Sequence, residues 1–267
     1  MNEEPGPLDR LRTRRIFQSD GRALIAAIDH AMFMDPGAPL RNPGQVIEDM
    51  VAGGADAVIA TFGTARRFAG CFGRAGLILR VDAGPTALSR GNDSWPLLYS
   101  VEDALCLGAD GVICMGFPGA AQEAETARNL ARLASDCRKW GLLLLAEMLP
   151  GGFGRPELHT PDNIAMAARI GAEIGADAVK TAYPGSAEAC RQVVEACYRP
   201  VLILGGEPKS SETEVLTAVR SAVRSGGAGA AIGRNLWQHS DPAGFAATLS
   251  TAVHDEAPLI TAYRLLR

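Results

Sequence analysis

The chain has 267 residues, 47% hydrophobic and 21% charged, with a formal net charge of −4 and a sequence pI near 5.6. That size and apolar content suit a single domain over 1–267, with an N-terminal extension or helix at 1–20 and C-terminal helices at 236–267. Mild acidity excludes the basic stripe of a nucleic-acid binder, and neither a bilayer-length apolar run nor a signal-peptide core precedes the first strand, so the expectation is a cytoplasmic protein without nucleic-acid or membrane partners.

Eight short apolar runs of strand length follow in chain order: 22–29 (RALIAAID), 55–61 (ADAVIAT), 76–82 (GLILRVD), 110–116 (DGVICMG), 141–147 (GLLLLAE), 176–182 (ADAVKTA), 200–205 (PVLILG) and 228–233 (AGAAIG). Helix-like segments separate them, and most are continuously apolar, as strands covered on both faces must be. Ser100-Val101-Glu102-Asp103 and Ser211-Glu212-Thr213-Glu214 have the pattern of capping boxes, and Thr160-Pro161 that of a cap followed by proline at the first helical position. The triplets Gly54-Ala55-Asp56, Gly108-Ala109-Asp110 and Gly175-Ala176-Asp177 each lead into an even-numbered strand, with Gly227-Ala228-Gly229 a degenerate fourth copy. Glycine stopping a helix and Ala-Asp opening a strand explains this repeat by architecture alone. The predicted fold class is α/β, a single (β/α)8 TIM barrel. An open doubly wound sheet is the rival, but no G-x-G-x-x-G follows the first run.

Six cysteines, Cys71, Cys106, Cys114, Cys137, Cys190 and Cys197, show no C-x-x-C spacing, and His30, His159, His239 and His254 show no H-x-x-x-H pairing. Reduced cysteines, no metal site and no cofactor are expected. Only three of the 26 basic residues are lysine, Lys139, Lys180 and Lys209, so arginine serves wherever a generic positive charge is wanted.

In a parallel barrel the carboxyl ends of the strands carry the chemistry. That rule selects Asp29, His30, Thr61, Asp82, Glu147, Lys180 and the segments after strands 7 and 8. Lys180 interrupts an apolar strand, where loss of hydration favours the neutral amine that attacks a carbonyl; the alternative is a lysine merely paired with Asp29, Asp82 or Glu147. Imine chemistry needs proton shuttles, for which Asp29 and Glu147 are candidates, with His30 able to assist and Tyr183 either above the pocket or packed as an ordinary loop residue. Gly205, Gly206 and Gly233, with Arg234, occupy the place where barrels bind phosphate: glycine lets backbone N–H groups approach and a guanidinium forks onto phosphate oxygens.

These residues resemble a known family. RRIF-x-x-DGRALIAAIDH, SVEDALCLGADGV at 100–112, GADAVKTAYPG at 175–185, LGGEPK at 204–209 and AAIGRNLWQHSDP at 230–242 are similar to the archaeal-type class I fructose-bisphosphate aldolases, Schiff-base barrels related to deoxyribose-phosphate aldolase. The resemblance covers nearly the whole chain. It implies that Lys180 is the Schiff-base lysine, Asp29 the acidic residue after strand 1, and Gly205, Gly206, Gly233 and Arg234 the phosphate site. The implied activity is carbon–carbon lyase or transaldolase-like chemistry of carbohydrate metabolism on a small phosphorylated carbonyl such as dihydroxyacetone phosphate.

The chain also departs from that pattern. Several members carry Tyr-Pro-Arg-Gly after strand 5, with the tyrosine as proton donor, where this chain has Leu149-Pro150-Gly151-Gly152. Ala31 replaces the usual glycine after Asp-His, and Met32-Phe33-Met34 makes that rim apolar. Glu147 or Tyr183 is then the substitute donor, or the imine serves a different reaction. Two alternatives follow: a thiolase- or isomerase-like enzyme acting on a phosphorylated diketone, and a non-catalytic phosphate-ligand sensor. A homo-oligomer is expected, with Trp237, Leu259, Tyr263 and Leu265 supplying contact surface or simply packing on the barrel.

Overall fold

The computed structural model describes residues 11–33, 37–89, 94–206 and 211–255. Strands β1 (Ala23–Ala27), β2 (Ala57–Ala60), β3 (Gly76–Arg80), β4 (Gly111–Gly116), β5 (Leu143–Met148), β6 (Ala178–Thr181), β7 (Val201–Leu204) and β8 (Gly229–Ile232) pair in parallel and close in chain order. Each falls on its expected apolar run and is trimmed where the flanking Asp, Gly and Pro leave the ladder; β5 alone runs one residue further, to Met148. Helices α1 (Pro43–Ala52), α2 (Phe62–Arg67), α3 (Val101–Cys106), α4 (Glu123–Trp140), α5 (Pro161–Ile174), α6 (Ala187–Ala196) and α7 (Glu212–Arg224) form the outer layer, followed by the short α8 (Arg234–Trp237) and α9 (Pro242–His254). This is the (β/α)8 barrel expected from the alternation.

The helix starts are those expected. Ser100 and Ser211 make reciprocal capping boxes with Asp103 and Glu214, and Thr160 accepts from the Asn163 N–H with Pro161 at the first helical position. In the residues described at the N-terminus, a 3-10 turn at Thr13–Arg15 stands where an extension or helix was expected, and Ile16 and Phe17 after it plug the base of the barrel. Near the C-terminus, Trp237 is buried with its indole N–H on the Ala27 carbonyl at 3.1 Å, so it packs on the barrel. Leu259, Tyr263, Leu265 and Met34 lie outside the described residues. The six cysteines are free thiols, and no described helix is long and apolar enough to cross a membrane.

Strand alternation decides what enters the barrel. Ile25, Ile59, Ile78, Ile113, Leu145, Ala178 and Leu202 fill its interior, while Leu24, Val58, Leu79, Val112, Leu144, Val179 and Ile203 face the helices. Carried to the carboxyl ends, the inward register brings Arg80, Met115, Glu147 and Lys180 into the mouth, joined by Asp29 and Asp82 just beyond β1 and β3.

The Gly-Ala-Asp repeat closes the opposite end. Asp56, Asp110 and Asp177 each accept the N–H of the second residue of the preceding odd strand, from Leu24, Leu77 and Leu144 at 2.7, 3.1 and 2.9 Å. The glycines before them take φ of 88°, 77° and 114°, a region costly for other residues, so the motif couples a helix stop to a strand clamp. His254 of α9 extends the first clamp, with Nδ1 2.8 Å from Asp20 Oδ2 and Nε2 3.0 Å from Asp56 Oδ2.

Burial of His254 opposes the charged ring, but the hydrogen bonds and charges of Asp56 and Asp20 outweigh it and raise the imidazole to about 9. A raised folded value means stability that is complete below the unfolded value near 6.5 and lost as pH rises through about 9; allowing for solvent screening, the contribution is about 1–2 kcal/mol. His254→Gln is expected to flatten the fall in melting temperature between pH 6.5 and 9; a native-like slope in the variant would disprove the clamp.

Candidate active site

The strand ends enclose a cavity of about 380 Å³, a size suited to a small-molecule ligand. Its floor is a buried charge network centred on Arg80. The guanidinium donates from Nε to Asp29 Oδ2 at 2.8 Å, from one terminal nitrogen to Asp82 Oδ1 at 3.1 Å, and from the other to Glu147 Oε2. Glu147 and Lys180 are direct partners in the β5–β6 ladder, so their side chains emerge together, and Glu147 Oε1 lies 2.8 Å from Lys180 Nζ. Two cations thus face three carboxylates, all buried. Among the described residues no group of three or more His, Cys, Asp or Glu is arranged to hold a metal ion, and these three carboxylates are bridged by arginine.

The network sorts the carboxylates by which oxygen is occupied. Asp82 is saturated: Oδ1 takes Arg80, and Oδ2 takes the Trp95 indole N–H and the Met115 N–H, each at 2.7 Å. Both Glu147 oxygens are held, one by each cation. Asp29 keeps Oδ1 outside hydrogen-bonding reach of His30 Nδ1, which is 3.7 Å away and has no hydrogen-bond partner among the described residues. Asp29 Oδ1 is therefore the carboxylate oxygen of the network not taken up by Arg80, Lys180, Trp95 or Met115, with the buried, unpartnered His30 Nδ1 beside it.

Burial by itself would raise the Asp29 carboxyl, but the charges of Arg80, His30 and Lys180 outweigh it and hold it down to about 2. Glu147 is likewise pushed up by burial and by Asp29, yet Lys180 and Arg80 bring it below the usual carboxylate range. His30 is lowered, first by burial and then by Lys180 and Arg234, against the pull of Asp29, which favours a neutral imidazole at pH 7.

The predicted phosphate residues line the side of the mouth formed by β7 and β8. Gly205, Gly206, Gly233 and Arg234 all border the cavity, and the Asn235 side chain ties the two loops by donating to the Gly205 carbonyl at 2.7 Å. Glycine at 233 is required by space, since a Cβ there would come 2.3 Å from the His30 ring.

Lys180, Asp29, Glu147 and His30 are thus brought together with the glycines and Arg234. Tyr183 is not. The chain leaves β6 after Thr181, and Tyr183 packs toward the helical layer with its hydroxyl donating to Ser221 on α7 at 3.0 Å, outside the cavity lining. Thr61 caps α2. Sequence reasoning missed Arg80, although a charge inside an apolar strand is the same signal that singled out Lys180. It also missed Trp95, which the long connection after β3 folds over the mouth; the length of that connection was the available clue.

Comparison with known proteins bears on this geometry. A family model described as DeoC/LacD family aldolase matches residues 23–239, nearly the whole barrel. The chain belongs to the DeoC/LacD aldolases. Similar relatives include the 2-amino-3,7-dideoxy-D-threo-hept-6-ulosonate synthase of Halobacterium salinarum, 36% identical over 92% of this chain and 91% of that one. The class 1 fructose-bisphosphate aldolase of Thermoproteus tenax is 32% identical over 90% of this chain and 92% of its own. A solved archaeal fructose-1,6-bisphosphate aldolase with its catalytic lysine bound covalently to the carbinolamine intermediate superposes with a TM-score of 0.82 at 32% identity, covering 91% of this chain and 98% of that one. The family inferred from the motifs is the family the comparisons return, and this member is a carbon–carbon lyase of the Schiff-base class.

Arg80→Met leaves buried carboxylates without their cation, which typically costs about 3–5 kcal/mol. The urea midpoint is expected to fall accordingly, with Arg80→Lys recovering only part because a single ammonium nitrogen cannot span the positions of three separate guanidinium nitrogens. Since Asp29 and Glu147 are held low, the native contribution is complete above the ordinary carboxylate range and lost as pH falls toward 2; Arg80→Met is expected to flatten that acid limb.

Proposed function

We propose that this aldolase forms or cleaves a carbon–carbon bond of a small phosphorylated ketone or aldehyde, of the dihydroxyacetone phosphate type, through an imine on Lys180. The observation that carries this reading is the Lys180–Glu147 pair at 2.8 Å on the cavity floor, below a mouth bordered by Gly205, Gly206, Gly233 and Arg234. The phosphate binds against the β7–β8 loops with Arg234 as the paired cation, which directs the carbonyl toward Lys180.

The chemistry follows from charge. Glu147 is low because Lys180 is charged beside it, and burial pushes the other way. When the amine gives up its proton and adds to a carbonyl, that counter-charge disappears and burial makes the carboxyl a better proton holder, so the two groups exchange one proton as a unit. Glu147 then returns the proton to the carbinolamine oxygen, water leaves, and the protonated imine restores the positive charge. That cation is the electron sink for bond cleavage or enamine formation. Asp29 Oδ1 and neutral His30 receive the substrate hydroxyl whose proton moves as the bond breaks, in place of the family tyrosine.

A thiolase- or isomerase-like reaction on a phosphorylated diketone is the second reading, favoured by buried Leu149 lining the cavity where relatives carry that tyrosine. The sensor alternative is set aside, since membership of this family makes the chain an enzyme.

Sodium borohydride with dihydroxyacetone phosphate is expected to add one reduced adduct to the native chain and none to Lys180→Ala, read by intact mass. Glu147→Gln is expected to slow adduct formation about 10²–10⁴-fold. Absence of any adduct with carbonyl phosphates would overturn the imine, and strict dependence on coenzyme A would move the assignment to the thiolase.

A further inference from the structure

Across the mouth from β7 and β8 the cavity changes character. In a closed eight-strand order β3 and β4 lie opposite β7 and β8, and the wall on that side is Phe33, Trp95, Met115, Leu149 and Phe153. Trp95 is its centre and is fixed at every polar atom. Its N–H donates to Glu125 Oε2 and its carbonyl accepts from the Asn129 side chain, both at 2.8 Å, while its indole N–H holds Asp82 at 2.7 Å. Gly84 packs beneath the ring so closely that a Cβ would come 1.9 Å from it. Phe33 stacks on the indole at 5.6 Å and Phe117 meets it edge-on at 4.9 Å. This is a preorganised aromatic surface, and its tryptophan is hydrogen-bonded directly into the Arg80 network.

A second cavity of about 320 Å³ adjoins the first and shares Pro85, Trp95 and Phe153 with it. Among its described lining residues the one ionic side chain is Arg155, already held by Glu157 at 3.1 Å and by the Gly119 carbonyl at 3.3 Å. Phe153, at the junction, is 66% exposed, a large aromatic face left in water beside rings it already touches. Arg155 is half-exposed and turned onto those surface partners, so the described lining sets one solvent-side guanidinium against aromatic and small apolar side chains, a surface better matched to an apolar group than to a second phosphate.

We propose that the aromatic wall is the subsite for the second reactant, an aldehyde bearing an apolar, aromatic substituent. The proposal rests on the Lys180 imine reading for its donor. In the joining step the imine of the phosphorylated ketone loses a carbon-bound proton to become the enamine, whose carbon attacks the aldehyde carbon. The carbonyl π pair becomes an alkoxide that takes up one proton, and hydrolysis of the imine consumes the water released when it formed. One ketone phosphate and one aldehyde give one adduct, with no oxidant or reductant.

The test compares phenylacetaldehyde with glyceraldehyde phosphate as acceptors for dihydroxyacetone phosphate on the full chain. A kcat/KM at least tenfold higher for phenylacetaldehyde is expected, the scale of discrimination that an apolar pocket supplies. Phe153→Ser, at a position too exposed to endanger the fold, is expected to raise the KM for phenylacetaldehyde about tenfold and to narrow its advantage. Equal use of both aldehydes, or preference for the phosphorylated one, would overturn the subsite while leaving the imine standing. If borohydride traps no imine, the donor reading fails separately, and saturation-transfer NMR with phenethyl alcohol then probes the wall: signal transfer lost in Phe153→Ser supports it, and none in the native protein refutes it.

Discussion

A guanidinium buried at the mouth of the barrel holds three carboxylates at once, and most of what the site can do depends on that arrangement. Arg80 uses its rigid fork to take one oxygen each from Asp29, Asp82 and Glu147. What each carboxylate has left then differs. Asp82 is consumed by Trp95 and Met115, Glu147 is turned toward Lys180, and Asp29 keeps one oxygen outside the network's hydrogen bonds. Three chemically similar acids thereby acquire three different tasks without any change of residue type. Buried charges of this kind are expensive unless fully paired, and the pairing is also what fixes their geometry before a substrate arrives.

The two ends of the barrel divide labour. At the amino ends of the strands, the aspartates of the Gly-Ala-Asp repeat clamp neighbouring strands, with Ile16 and Phe17 closing the base. At the carboxyl ends the same inward register carries the charged side chains that line the cavity. Stability devices at one end leave the other free to vary, and here Leu149 lines the cavity after β5 while the connection after β3 lays Trp95 across the opening. The result is a cavity that is polar and glycine-lined toward β7 and β8 and aromatic toward β3 to β5. Indole bonding to Asp82 joins the two regimes, since the residue that shapes the apolar wall also completes the environment of Arg80.

How legible each feature was in the sequence depends on the range of the interaction that makes it. Strands, capping boxes and the helix-stopping glycines are local, and the apolar runs, Ser-x-x-acid spacings and Gly-Ala-Asp triplets announced them. Lys180 stood out because charge is rare in a buried strand, and Glu147 because it ends one. Arg80 met the first criterion equally well but was masked by its chemistry: in a chain that uses arginine almost everywhere a cation is wanted, one more arginine carries no contrast.

The sequence by itself determined the alternation of strand and helix, the strand ends that carry charged residues, and through its motifs the family, because each of these is written in residues close together along the chain. Only the tertiary structure decided which groups meet. Arg80 binds acids 51 and 67 residues away, Tyr183 turns from the pocket to α7, and Trp95 is fastened to α4 some 30 residues on. Such partnerships follow from closure of the barrel and the paths of its loops, which place distant residues at hydrogen-bonding distance, and no spacing along a single segment encodes them.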